Sequence, residues 1–231
     1  MLAIRLGQSL PSNEPTRWMP TDEIRLEAWY RKGTGMTFVG SNPSTVAAWR
    51  NQSENAHHMN QATVSEQPTF ETSDGSLTFD PTDDNNLQTT DQISLAGTFT
   101  IGIRIYISAV GGIILGDNTT PGEFIKIFST NKIRVKIDNA TAVDIQLDSG
   151  VLTGAWATLI LIRDASNLIT LHWNGVAQAD TETLSGVADI DTIGVRAVDL
   201  NPLDASIKEI IIYAQESQSL TDNIYTRLSS L

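Results

Sequence analysis

Hydrophobic and polar residues alternate along much of the second half of the chain. In the segment 99–107, every second position from Ile101 to Ile107 is isoleucine, and the positions between them hold glycine, arginine and tyrosine. The segment 132–138 repeats this pattern with isoleucine and valine alternating with lysine and arginine. Because successive side chains of a β-strand point to opposite faces, each segment predicts a strand with one buried face.

Similar apolar segments follow at short intervals. Asn174-Gly175, between two of them, predicts a hairpin, since a type I′ turn needs positive φ at both central residues. The predicted strands of this half are 99–107, 123–128, 132–138, 142–147, 156–163, 168–173, 176–181, 191–196 and 206–213. Shorter candidates in the first half are 26–30, 45–51, 77–80 and 86–88. Many β-branched strands with Gly, Asn and Asp turns indicate an all-β antiparallel sandwich or jelly roll.

The two ends of the chain depart from this β pattern. Residues 1–16 hold Pro11 and Pro15 after a short apolar start, which predicts an extended arm ahead of a single domain over 17–231. The end of the chain predicts a short C-terminal helix, with Ser219 or Thr221 as its N-cap.

Composition narrows the possible functions. The chain has 15 Lys and Arg against 27 Asp and Glu, a formal net charge of −12, which disfavours nucleic acid as a partner. It has no cysteine, so disulfides and thiolate metal sites are excluded. No apolar segment approaches the ~20 residues of a membrane-spanning helix. The short apolar start is interrupted by Arg5, so we expect neither a signal peptide nor membrane insertion.

Five segments, taken in order, resemble concanavalin A-like jelly-roll domains of the laminin-G-like group. They are WMPTDEIRLEAWYRKGTG (18–35), VAAWRNQSENAHHMNQATVSEQPTF (46–70), GSLTFDPTDDNNLQ (75–88), GAWATLILIRDASNLITLHWNGV (154–176) and EIIIYAQESQSLTDNIYTRLSSL (209–231). Pro81 departs from the pattern, which often has glycine there. The resemblance covers about residues 17–231 and implies an antiparallel β-sandwich.

Catalytic motifs are missing from the sequence. Glucanases of this fold carry Glu-x-Asp-x-Glu on one strand, which places three carboxylates on one face. This chain has only two-membered versions, Asp180 with Glu182 and Asp189 with Asp191, both near predicted turns. G-x-S-x-G, H-E-x-x-H and P-loop motifs are also absent. We therefore expect no enzymatic activity.

A calcium ion is the one candidate cofactor. Laminin-G-like domains often bind one near a sandwich rim, and calcium prefers six to eight oxygen ligands. Asp80, Asp83 and Asp84 are the candidate ligands, followed directly by two asparagines. The alternative is ordinary loop chemistry, in which Asp and Asn side chains stabilise turns.

Tryptophan and histidine supply the other candidate sites. Trp29, Trp49 and Trp156 lie among apolar neighbours and are predicted to be in the core, whereas Trp18, at the junction of arm and domain, could pack on a neighbouring subunit. The neighbouring histidines at 57 and 58 are predicted to lie on a surface loop. His172 is predicted to pack across strands.

The opening segment RLGQSLPS (5–12), followed by one such domain, resembles proteins of bacteriophage particles. This resemblance implies a virion structural protein, a head decoration or a tail or fibre component, made in the host cytoplasm. Other virion proteins would be its partners, and assembly into a homo-oligomer is an alternative. The residues predicted to anchor the arm to a neighbouring protein are Leu2, Ile4, Leu6, Leu10 and Trp18.

The alternative function is a carbohydrate-binding module for host-surface glycans, with or without calcium. Such a module needs an exposed aromatic platform with hydrogen-bonding side chains nearby, and the sequence alone identifies neither.

Overall fold

The structure is a computed structural model that describes residues 17–39, 44–118, 122–138, 141–148, 150, 152–196 and 201–231. The four apolar anchor residues of the predicted arm lie outside these ranges. The boundary between arm and domain therefore stays a prediction.

Strands are the main secondary structure of the described residues. In chain order they are β1 (Leu26–Tyr30), β2 (Met36–Phe38), β3 (Val46–Trp49), β4 (Met59–Asn60), β5 (Thr69–Glu71), β6 (Ser76–Phe79), β7 (Leu87–Leu95), β8 (Phe99–Ile107), β9 (Ile113–Gly116), β10 (Phe124–Ser129), β11 (Lys132–Lys136), β12 (Val143–Gln146), β13 (Trp156–Arg163), β14 (Leu168–Trp173), β15 (Val176–Ala177), β16 (Glu182–Thr183), β17 (Ala188–Ile193) and β18 (Ala205–Tyr213). One α-helix, α1 (Gln218–Ser229), ends the chain, and two 3-10 turns lie at Pro20–Asp22 and Val64–Glu66.

The strands form two antiparallel sheets. The first sheet has the order β15-β14-β13-β8-β18-β6-β5, with β1 also paired to β18 and β16 to β14. The second sheet has the order β12-β11-β10-β9-β17-β7-β4-β3-β2. Their inner faces form one continuous hydrophobic core. The predicted all-β antiparallel sandwich is confirmed.

The alternation in 99–107 has the predicted effect. The four isoleucines of β8 are buried in the core between the sheets, whereas Arg104 and Tyr106 are half-buried on the opposite face. β8 pairs with β13 on one side and β18 on the other, so it lies in the interior of the first sheet.

The segment predicted as a strand at 176–181 is interrupted. Only Val176–Ala177 pairs as strand, and a second short strand follows at Glu182–Thr183. Between these two short strands, the chain forms hydrogen bonds with residues at the edge of the second sheet. The Asp148 carboxylate accepts the Ala179 N–H at 2.9 Å, and the Asp180 carboxylate accepts the Gln146 N–H at 2.7 Å. Asp180 thus has a structural contact at this edge.

The C-terminal helix covers part of the outer face of the first sheet. Ile224 and Leu228 of α1 are buried against Ile160 and Ile211 of that sheet. Gly102 makes this approach possible, because a Cβ there would lie 2.4 Å from an Ile224 methyl carbon.

The cap of this helix differs from the prediction. The N-cap is Ser217, whose hydroxyl accepts the Leu220 N–H at 3.1 Å. Ser219 and Thr221 lie inside the first turn, where the Thr221 hydroxyl donates to the Ser217 carbonyl. The helix therefore begins one residue before the first predicted cap.

A buried ion pair fastens the helix to the sheet. Glu209 is fully buried, and both of its oxygens accept from the Arg227 guanidinium, which is 6% exposed. The Trp29 indole N–H donates to the same carboxylate at 2.9 Å. Three elements, β1, β18 and α1, thus meet at one carboxylate.

Candidate functional site

No α-helix of the described residues covers the outer face of the second sheet. The helix α1 lies against β8 and β13 of the first sheet. On β10, Ile125 and Ile127 are buried in the core, so the side chains of Phe124 and Lys126 point to the other face. Phe128, at a bulge in the same strand, is 38% exposed.

An arginine stacks on this exposed ring. The Arg134 guanidinium carbon of β11 lies 3.4 Å from the Phe128 ring centroid. The Asp144 carboxylate of β12 holds it from the side, accepting from Nε at 2.6 Å and from Nη2 at 2.9 Å. This hydrogen bonding raises the pKa of Arg134 and lowers that of Asp144. The charge of Arg134 is therefore compensated within the chain.

A second arginine stacks on the other phenylalanine of β10. The guanidinium carbon of Arg196 lies 5.0 Å from the ring centroid of half-buried Phe124. The Arg196 Nε is buried and has no hydrogen-bond acceptor among the described residues. Within the described residues, a donor without an acceptor thus lies beside an aromatic ring.

A lysine lies between the two stacks. Lys126 Nζ donates to the Asn201 side-chain oxygen at 2.6 Å. Burial lowers the pKa of Lys126, and the nearby charges of Arg196 and Arg134 lower it further. The three cations thus share one region of the sheet face.

We call these five residues the aromatic–cationic strip: Phe124, Lys126, Phe128, Arg134 and Arg196. At roughly 3.3 Å per strand residue, its two rings start about 13 Å apart along β10. Aromatic rings give apolar contact area at little entropic cost, and the cations and the Asn201 amide give directed hydrogen bonds. The strip has the composition of a binding surface for an extended polar ligand with apolar faces.

Carboxylates lie next to the strip on the same sheet. Burial, together with a hydrogen bond to Asp117, raises the pKa of Glu123 to about 7. Burial and the negative charges of Asp117 and Asp189 raise the pKa of Asp191 to about 6, although the Asn118 N–H donates to it at 2.7 Å. These groups change charge between pH 5 and 8.

The predicted calcium ligands form a hydrogen-bonded turn. Asp80 Oδ1 accepts from both the N–H and the hydroxyl of Thr82, at 2.8 and 2.6 Å, and these bonds lower the Asp80 pKa. The Asp83 N–H points to the Asp80 carbonyl at 3.3 Å, and Asp84 has a positive φ of 51°. Within the described ranges, no three His, Asp or Glu side chains are placed to share a metal ion. The Asp80 carboxylate thus stabilises a turn, as the alternative predicts, and the calcium site stays a prediction.

Trp18 packs within its own chain. It is half-buried against the cluster beneath α1, and its indole nitrogen donates to Glu23 at 3.3 Å. Its role in anchoring a partner stays a prediction.

The core prediction holds for two of three tryptophans. Trp29 and Trp49 are buried, but Trp156 is half-exposed on the outer face of the first sheet. The prediction for Trp156 was wrong because Ala157 and Leu159 face the core, which turns position 156 outward. Lys208 Nζ lies 4.1 Å from the Trp156 ring centroid.

The histidines have structural partners. His57 and His58 lie in the loop before β4, as predicted, and both are half-buried: His57 Nδ1 lies 2.6 Å from the Asp91 carbonyl oxygen, and His58 Nδ1 accepts the Asn51 N–H at 3.2 Å. His172, half-buried in β14, pairs with Ile160 and Ala177, as cross-strand packing predicts.

The segment Trp49-x-Asn51-x-Ser53-x-Asn55 also has a structural role. Buried Asn51 accepts the Trp29 N–H at 2.7 Å and donates to the Glu27 carbonyl, the Ser53 hydroxyl and the Asn55 carbonyl. Asn55 donates to the Glu27 carboxylate and carbonyl. The segment therefore fixes a loop to β1.

Comparison with known proteins gives similarity of fold. No family model and no curated protein matches the sequence. The binding domain of Paraclostridial Mosquitocidal Protein 1 matches with a TM-score of 0.50 and 14% identity, over 92% of this chain and 53% of that one. Trypanosoma rangeli sialidase, in complex with the inhibitor DANA, matches with a TM-score of 0.55 and 13% identity, over 88% and 32%. A variant of HCR/D matches with a TM-score of 0.51 and 12% identity, over 81% and 52%.

These identities show the fold alone. The chain spans about half the length of the mosquitocidal binding domain and about a third of the sialidase. In the described residues, no helix is both long and apolar enough to cross a membrane.

Proposed function

We propose that the chain is a non-catalytic carbohydrate-binding module and that the aromatic–cationic strip is its binding surface. The observation that carries the proposal is the pair of arginine–phenylalanine stacks on either side of Lys126, on a sheet face that no described α-helix covers. Sugar rings have apolar C–H faces and polar edges. The phenylalanine rings suit the former, and the cations and the Asn201 amide suit the latter.

The structural neighbours support this proposal at the level of fold. One is named as the binding domain of a mosquitocidal protein and another as a sialidase in complex with an inhibitor. A fold hosts many functions, so the strip, rather than the similarity, carries the assignment.

Absence of catalysis is part of the proposal. Hydrolysis of a glycosidic bond requires two carboxyl groups that flank the bond. Asp189 accepts a hydrogen bond from Ser94 at 2.6 Å, Asp191 accepts from Asn118, and Asp180 accepts from Gln146. These contacts give three of the four carboxylates of the two-membered motifs roles within the fold, and we expect no turnover of a bound glycan.

A glycan array probed with the full chain tests the proposal. We expect binding to a defined subset of oligosaccharides and loss of that binding in Phe128→Ala, because removing an exposed ring takes away contact area. Trp156→Ala is the matched control, since it removes an aromatic–cation pair from the other sheet. Absence of binding to any glycan, or equal binding by wild type and Phe128→Ala, contradicts the proposal.

The particle-structural role stays a prediction from sequence resemblance. Its anchor is the arm over residues 1–16, outside the described residues. Deleting this arm distinguishes the two functions: a particle protein would lose assembly, whereas the glycan-binding module would keep its binding. Thermal melting with calcium and with chelator tests the calcium prediction, because a ligand specific to the folded state raises the midpoint.

A further inference from the structure

We infer that the glycan bound by the strip is acidic, and that Arg196 binds its carboxylate group. This inference rests on the proposed function and adds the chemical class of the ligand. The observation behind it is that the positive charges of the three cations of the strip are compensated to different extents by other residues of the chain.

Two of these cations already have partners within the chain. Arg134 forms a two-point ion pair with Asp144. Lys126 donates to a neutral amide oxygen of Asn201, which satisfies one donor and leaves the charge uncompensated.

Arg196 has no anionic partner within the described ranges. The ion pairs found there join His57 to Asp91, Arg134 to Asp144, Lys208 to Asp74 and Arg227 to Glu209. The side chain of Arg196 is only half-buried, and its buried Nε has no acceptor in the same ranges. Since the side chain as a whole is only half-buried, its guanidinium can take a carboxylate through two parallel N–H···O bonds from its terminal nitrogens.

The ring of Phe124 completes the site. The Arg196 guanidinium lies 5.0 Å from this ring, so the ring supports its position on the sheet face. A bound carboxylate would also reduce the repulsion between Arg196 and Lys126, which already lowers the pKa of the lysine. A neutral sugar would leave this repulsion in place.

The positive charge of the strip contrasts with the negative net charge of the protein. The chain carries a net charge of −12, which repels anions at long range. An anionic ligand therefore needs a local cationic surface, and the strip provides one on a face that no described α-helix covers. We expect binding to weaken as salt screens this attraction.

Matched acidic and neutral probes test the inference by calorimetry with the full chain. The pairs are 3′-sialyllactose with lactose, and trigalacturonic acid with its methyl ester; they separate a sialic acid source from a uronic acid source. We expect at least one acidic probe to bind about tenfold or more tightly than its neutral partner, as a charge-assisted hydrogen bond pair would give. This comparison needs no variant and so does not depend on the folding of a mutant.

Arg196→Gln should bring the affinity for the acidic probe down to that of its neutral partner. Arg196→Lys should restore part of the difference, because it keeps the charge without the planar fork. Arg50→Gln, at an exposed site outside the strip, is the control with the same change in net charge.

Equal affinity for acidic and neutral probes, or an Arg196→Gln protein that still prefers the acidic probe, overturns the inference. Binding to neutral glycans alone would overturn it and leave the proposed function intact. Failure to bind any glycan, including those of the array, would overturn both.

Discussion

The buried carboxylate of Glu209 provides a sharp test of how α1 is held. Replacing it with glutamine keeps its shape but removes the negative charge that faces Arg227. Both side chains are nearly inaccessible, at 0% and 6% exposure, so solvent cannot compensate the remaining guanidinium. The new amide also presents N–H donors where the carboxylate accepts from Trp29 and Arg227.

Removing one partner of a buried ion pair costs about 3–5 kcal/mol of unfolding free energy. For a domain of this size, each kcal/mol lowers the thermal midpoint by roughly 2–4 °C, so Glu209→Gln should lower it by roughly 6–20 °C. Circular dichroism melting measures the midpoint, and urea unfolding gives the free energy. The control is Asp144→Asn, which breaks the more exposed pair with Arg134 and should cost no more than about 1 kcal/mol.

A double variant, Glu209→Leu with Arg227→Leu, separates charge from packing. It leaves no uncompensated buried charge, so it should be less destabilised than Glu209→Gln. The reasoning fails if Glu209→Gln melts within a degree or two of Asp144→Asn, or if the double variant is the least stable of the three.

Two further predictions concern the packing of α1 and the carboxylates beside the strip. Gly102→Ala should lower unfolding free energy by about 1–3 kcal/mol in urea melts, because its Cβ would meet Ile224; an unchanged midpoint would show that the helix moves aside freely. The carboxyl pKa values of Glu123 and Asp191 are raised to about 7 and about 6, so the folded state binds more protons than the unfolded state between pH 4 and 7. The contribution of these two groups to stability is therefore present below pH 4 and lost as the pH rises through 7. Asp191→Asn should flatten the pH dependence of the melting midpoint across pH 5–7. A variant with the same pH profile as the wild type would contradict this assignment.

Strand pairing explains which elements could be predicted from the sequence. β8 and β13 lie inside a sheet with the core on one side, so their apolar positions are strongly periodic. β7 was predicted only at 86–88, yet it runs from Leu87 to Leu95. Its central residues Thr90, Asp91 and Gln92 are exposed, so most of this stretch lacks an apolar pattern to mark it as strand.

Side-chain hydrogen bonds explain the errors at the ends of elements. The Ser217 hydroxyl caps α1, two residues before Ser219, the first of the two predicted caps. The chain after Ala177 leaves its strand because Asp148, distant in sequence, accepts the Ala179 N–H. Contacts of this kind depend on tertiary structure, so the local sequence pattern does not contain them.

The candidate site was not predicted for a related reason. The alternation in 132–138 shows that Arg134 points away from the core, but it does not show which ring lies beneath it. That contact depends on the bulge at Phe128, where β10 has one more residue than β11 and the ring turns outward beside the arginine. It also depends on α1 lying on the other sheet, since a helix over β10 would have made the same residues part of a second core. Among the described elements, the position of the helix therefore decides which of the two outward sheet faces is covered, and the aromatic residues of the other face become candidates only once that position is known.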